Sequence, residues 1–91
     1  MNITLEQIEN MKHAIGFRRD RIKRGKYVAY RNYYTTSNIN LSWENLVEFG
    51  YATKRKLDNG VGDDPQVYFV TKKGIEALGR FLGVRIVEDE D

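Results

Sequence analysis

Two stretches, Leu46-Val47-Glu48-Phe49-Gly50-Tyr51-Ala52 and Tyr68-Phe69-Val70-Thr71-Lys72-Lys73-Gly74-Ile75-Glu76-Ala77-Leu78, decide the fold. The first closes a short helix. Trp43, Leu46 and Val47 share one face by three- and four-residue spacing, Ser42 with Asn45 three positions later supplies its start, and Gly50 its stop. The second opens another helix. Val67-Tyr68-Phe69-Val70 has strand composition, and Thr71 stands where it caps a helix carrying Ile75, Leu78 and Phe81. Between the two, residues 51–57 read as an outgoing strand and residues 58–65 as a flexible acidic tip containing Asp58, Asp63 and Asp64. The unit is therefore helix, β-hairpin, helix, and Val84-Arg85-Ile86-Val87 offers a short last strand.

Before this unit, Thr4 and Gln7 fit a capping box at the start of a first helix. Leu5, Ile8, Met11 and Ile15 form its apolar stripe, and Gly16 is its stop. Residues 25–40 read as irregular with a short strand, because Tyr27-Val28-Ala29-Tyr30 and Tyr33-Tyr34-Thr35-Thr36 have strand composition without clean alternation. With 91 residues there is room for a single core, expected over residues 1–87 with an acidic tail at 88–91. The fold class is α+β, with helices around a two- or three-stranded antiparallel hairpin wing.

Composition narrows the chemistry. The chain contains no cysteine, which removes disulfides, thiol nucleophiles and cysteine-ligated metals and suits a reducing cytoplasm. No apolar run is long enough to span a bilayer, so a cytoplasmic protein with no membrane partner is expected. The net charge of +2 conceals an asymmetry. Arg18, Arg19, Arg21, Lys23, Arg24, Lys26 and Arg31 lie close together against the single acid Asp20, whereas Glu88-Asp89-Glu90-Asp91 is wholly acidic. A basic block interleaved with aromatic residues is a footprint of nucleic-acid binding, since lysine and arginine release the counterions condensed on phosphates.

The helix, hairpin, helix unit resembles the second half of bacterial winged-helix regulators of the MarR and PadR type. The resemblance rests on the helix ending at Gly50 and on the run Thr71-Lys72-Lys73-Gly74 after the hairpin. It implies a DNA-binding protein whose helix at 42–49 occupies the recognition position. The chain departs from that pattern in charge. The helix carries no lysine or arginine, and Glu44 with Glu48 would meet phosphates on its solvent face. The MarR-type wing carries an arginine near its tip acid, whereas here Asp64 is followed by Pro65 and Gln66. The chain also resembles short proteins encoded by bacteriophages and prophages, in its Lys12-His13-Ala14-Ile15-Gly16 and Tyr30-Arg31-Asn32-Tyr33-Tyr34 segments.

Two binding functions follow. One is nucleic-acid binding, as in a phage or bacterial transcriptional regulator, through Arg18, Arg19, Arg21, Lys23, Arg24, Lys26, Arg31, Lys54 and Lys56. On a strand Lys54 and Lys56 lie together while Arg55 points away. The alternative is a non-catalytic protein-interaction module, such as a phage-encoded modulator or inhibitor of a host machine. Tyr27, Tyr30, Tyr33 and Tyr34 are interaction candidates for either partner, because tyrosine stacks on bases and also anchors protein interfaces. A first-helix stripe larger than the core needs would support a homodimer. Catalysis is not expected. His13 is the single histidine and reads as a helix-flank residue, and Gly60-Val61-Gly62 lacks the setting of a phosphate loop. Asp63 and Asp64 read as a solvated turn, so no metal or cofactor is anticipated.

Overall fold

A computed structural model describes residues 3–37, 40–56 and 66–88; Asp58, Asp63 and Asp64 of the hairpin tip and tail residues 89–91 lie outside the described residues. Helix α1 (Leu5–Ala14) begins with the capping box. The Gln7 N–H donates to Thr4 Oγ1 at 3.1 Å, and the Thr4 N–H donates to Gln7 Oε1 at 2.9 Å. The same glutamine turns its Nε2 onto the Ser42 carbonyl, so a buried polar side chain ties α1 to the second helix. This tie rotates the buried face. Gln7, Met11 and Ala14 point inward at helical spacing with Ile15 beyond them, while Leu5, expected in the stripe, is 80% exposed.

The segment read as irregular contains two strands, β1 (Lys26–Ala29) and β2 (Tyr34–Thr36). Their weak alternation reflects shortness and different sheets. Strand β2 joins an antiparallel sheet in the order β2-β4-β3, with β3 spanning Ala52–Lys56 and β4 spanning Gln66–Val70. Strand β1 instead pairs in parallel with β5 (Arg85–Glu88), so Glu88, assigned to the tail by sequence, is part of a strand. Between β1 and β2 the Asn32 side-chain amide acts as a ladder partner, donating to the Val70 carbonyl at 2.7 Å and accepting from its N–H at 2.8 Å.

Helix α2 (Leu41–Glu48) starts before the position expected, because Asn40 rather than Ser42 is its cap, accepting from the Trp43 N–H at 3.2 Å. Ser42 lies inside the helix, where its hydroxyl accepts from Asn10. Helix α3 (Lys72–Leu82) explains the Thr71-to-Gly74 run physically. The Thr71 hydroxyl donates to the Gly50 carbonyl and accepts from the Gly74 N–H, locking the end of α2 to the start of α3. A Cβ on Gly74 would collide with the Tyr51 carbonyl oxygen, so only glycine allows this approach. Phe81, expected in the apolar stripe of α3, is 55% exposed.

The core is built on Trp43, Tyr68, Tyr27, Met11, Ile15, Leu46 and Leu78, all fully buried. Each large side chain contributes about 1.5–3 kcal/mol on burial. The result is a small α+β domain of three helices and a three-stranded antiparallel sheet, winged-helix-like in arrangement, with a parallel β1-β5 pair added. Only residues 37–40 separate β2 from α2, which leaves no length for the additional helix of a helix-turn-helix before the wing.

Candidate nucleic-acid interface

Three apolar residues decide where the basic block points. Phe17 and Ile22 pack on the core and Tyr27 is buried within it, with the Phe17 and Tyr27 rings edge to face at 4.9 Å. The residues between these anchors bulge outward, so Arg18, Arg19, Arg21, Lys23, Arg24 and Lys26 all reach the surface. Tyr27, a surface candidate in the sequence, is 1% exposed and donates its hydroxyl to the Gly16 carbonyl at 2.5 Å. Burial raises its pKa, opposed in part by the nearby Arg21 and Arg31.

Residues 23–26 form a two-residue hairpin, with Lys23 and Lys26 exchanging both backbone hydrogen bonds at 2.9 and 3.0 Å. Its central residues, Arg24 at φ 55° and Gly25 at φ 73°, both adopt the left-handed conformation of a type I′ turn. Glycine suits that position, whereas arginine costs about 1–2 kcal/mol. The Arg85 N–H donates to the Gly25 carbonyl, and the parallel register sets Lys26 beside Arg85, both exposed. Arg21, Lys23, Lys26 and Val28 line an open groove of about 480 Å³. Among the described residues Arg19, Arg21, Lys23, Arg24, Lys26 and Arg85 make no ion pair. Arg85 was not among the sequence candidates. Its only local signal was its charge, because a parallel partner so distant in sequence leaves no spacing to read.

A second groove, of about 570 Å³, has Lys12, His13, Arg18, Tyr30 and Arg31 among its lining residues, Arg18 standing just before the 3₁₀ turn Arg19–Arg21. It joins the two segments singled out in the sequence. Arg31 Nη2 donates to the His13 carbonyl at 2.8 Å, the Tyr33 N–H donates to the Ala14 carbonyl at 3.1 Å, and the Tyr30 ring lies directly over Gly16. The Arg31 guanidinium sits 5.8 Å from the ring centres of both Tyr30 and Tyr33, which are 55% and 51% exposed. Tyr34 is different. It packs against the core, with its ring 5.3 Å from Trp43 and 5.4 Å from the exposed His13, so of the four tyrosine candidates only Tyr30 and Tyr33 are surface groups.

The wing cations are placed otherwise. Lys54 lies in register with Tyr68 and donates to Glu44 Oε1 at 2.7 Å, while the Tyr68 hydroxyl donates to Glu44 Oε2 at 2.6 Å. Lys54 is therefore held inside the domain's own network, and Glu44 is not the free solvent-facing acid the sequence predicts. The Lys54 and Tyr68 hydrogen bonds hold the Glu44 carboxyl below its usual pKa. Burial, then the Glu44 carboxylate, raises that of Tyr68. Lys56 pairs in register with Gln66, on the face shared with Lys54. Glu48 remains on the surface of α2.

Among the described residues no cluster of three or more histidine, cysteine, aspartate or glutamate side chains could hold a metal, and no helix is long and apolar enough to cross a membrane. No protein-family model, curated protein or solved structure matches this chain.

Proposed function

We propose that this domain binds nucleic acid through its basic block rather than through the helix before its wing. The observation that carries the reading is the groove of Arg21, Lys23 and Lys26, extended by Arg85 across the β1-β5 pair, in which none of these cations has an acidic partner among the described residues. Gathering like charges on one small surface is unfavourable unless a polyanion neutralises them, and a phosphate backbone does so with counterion release. Arg24 supports the same reading, since a cation occupies a turn position where glycine would be unstrained. Helix α2 is poorly suited to a major groove, having Glu48 at its surface, no basic residue and too few residues between β2 and itself for a further helix to cross the backbone. A transcriptional role would therefore use a docking mode unlike that of the MarR and PadR type.

The test is a titration of generic DNA at two salt concentrations. Wild type should bind at low salt, weakening steeply as salt rises, and the combined Arg21→Glu, Lys23→Glu and Lys26→Glu variant should lose retention. Absence of wild-type binding at low salt would sink the proposal. A protein-interaction module is the second reading, favoured by the exposed apolar side chains Leu5, Leu41 and Phe81, the last lining a small groove with Ile3, Tyr51 and Ala77. It predicts a stoichiometric partner retained from nuclease-treated host lysate.

A further inference from the structure

The basic groove and the groove lined by Arg18 differ in chemistry. The turn Arg19–Arg21 joins them: Arg21 lines the first groove, Arg18 the second, and the Arg21 N–H donates to the Arg18 carbonyl at 3.1 Å. Tyr30 and Arg31 line the second groove, and the half-exposed Tyr33 ring lies 5.8 Å from the same Arg31 guanidinium. The Tyr30 ring and the backbone that carries Tyr33 are fixed before any ligand arrives. Tyr30 rests on the bare backbone of Gly16, a left-handed residue at φ 65° where a Cβ would come within 2.8 Å of the ring. Tyr33 follows Asn32, whose amide is bonded twice to Val70, and its own N–H is bonded to Ala14. A half-exposed aromatic ring held rigidly beside cations is a platform for a planar, electron-rich group carried on a polyanion.

Duplex DNA does not present such a group, because its bases are stacked on one another, whereas a single strand offers every base face. We infer that the ligand is single-stranded nucleic acid, its bases stacking on Tyr30 and Tyr33 while its phosphates run along Arg18, Arg21, Lys23 and Lys26. The inference rests on the nucleic-acid reading above and specifies its substrate class. The existing ion pairs do not oppose it. Arg18 holds Asp20 at 3.1 Å and Lys12 holds Glu9 at 3.2 Å, but Arg18, Asp20 and Glu9 are well exposed, and surface pairs of this kind exchange readily for phosphate. His13, exposed at the rim, adds a further planar edge to the same groove.

Fluorescence anisotropy with a labelled mixed-sequence DNA strand of about 12 nucleotides, long enough for the roughly 4–16-nucleotide footprints typical of such sites, and with the same strand annealed as a duplex, tests the inference. Wild type should bind the single strand about tenfold or more tighter than the duplex. The double variant Tyr30→Leu, Tyr33→Leu should lose about tenfold on the single strand, with its salt dependence unchanged. Replacement of both tyrosines by phenylalanine should preserve binding, because the ring rather than the hydroxyl stacks; this separates stacking from misfolding. Lys23→Gln with Lys26→Gln should instead lower the single-strand salt slope by about 0.7 for each phosphate no longer neutralised. Equal or tighter duplex binding, wild-type affinity in the leucine variant, or poly-glutamate competing as well as the oligonucleotide would overturn the inference. Of these, the first two leave the broader nucleic-acid reading standing. Failure to bind either DNA at low salt overturns both.

Discussion

The strip from Arg18 to Arg31 and the α2-β3 corner carry the same kinds of side chain and use them in opposite ways. In the corner, Lys54, Glu44 and Tyr68 satisfy one another above the stacked rings of Trp43 and Tyr68, 5.3 Å apart. On the strip, Arg21, Lys23, Lys26 and Arg85 reach solvent together without an acidic partner among the described residues. A cation's availability to phosphate is thus decided by the neighbour the fold gives it. The basic residues of the wing and of the block are indistinguishable in composition, yet Lys54 is committed internally and Lys23 is not.

The contrast can be broken most severely at the bolt between the two regions. Asn32→Ala removes both bonds to Val70 and leaves a part-buried N–H and C=O unpaired, which should cost about 1–3 kcal/mol in urea denaturation. Because Asn32 also anchors the backbone just before Tyr33, single-strand affinity should fall in the fraction that remains folded.

Next in size is the corner itself. Glu44→Gln should destabilise by about 1–2 kcal/mol, since the carboxylate that accepts from both Lys54 and Tyr68 is replaced by a neutral amide with one acceptor oxygen, with partial exposure limiting the loss. The pH dependence has a definite sign. The folded pKa of Glu44 is lowered, so its contribution is present above the unfolded carboxylate value and is lost as pH falls through the folded value. The gap between wild type and Glu44→Gln should therefore be full at neutral pH and narrow on acidification. The variant should also release Lys54 and tighten nucleic-acid binding, whereas Lys54→Met should leave binding nearly unchanged; a marked loss there would erase the distinction between the two regions.

The smallest effect is on the strip. Arg24→Gly relieves left-handed strain but loosens the unfolded chain, giving a net stabilisation of under about 1 kcal/mol. It should flatten the single-strand salt dependence by about 0.7 if Arg24 neutralises a phosphate. A gain in stability with weaker binding would mark the strain as retained for the charge it displays.

What could be read in advance was local. Thr4 with Gln7, Gly50 and Thr71 are caps and stops whose chemistry spans a few residues, and the helices follow from them. The apolar stripes were less legible. Leu5 and Phe81 satisfy the periodicity but face solvent, because the face a helix buries is chosen by its neighbours, in α1 through Gln7 and Ser42. The candidate site was legible as a set of charges and only in part as a place. Its cations were visible as a cluster, but Tyr27 and Tyr34 turned inward, Lys54 found Glu44, and Arg85 came from the far end of the chain.

The sequence by itself determined the three helices, the hairpin, the charge asymmetry and most of the caps, since each depends on interactions within a turn or on composition. Only the tertiary structure decided that β1 pairs with β5, that the segments around His13 and Tyr30 form one groove, and which aromatic rings and cations face outward. Those outcomes depend on packing between residues far apart in the chain, and such packing leaves no spacing in the sequence.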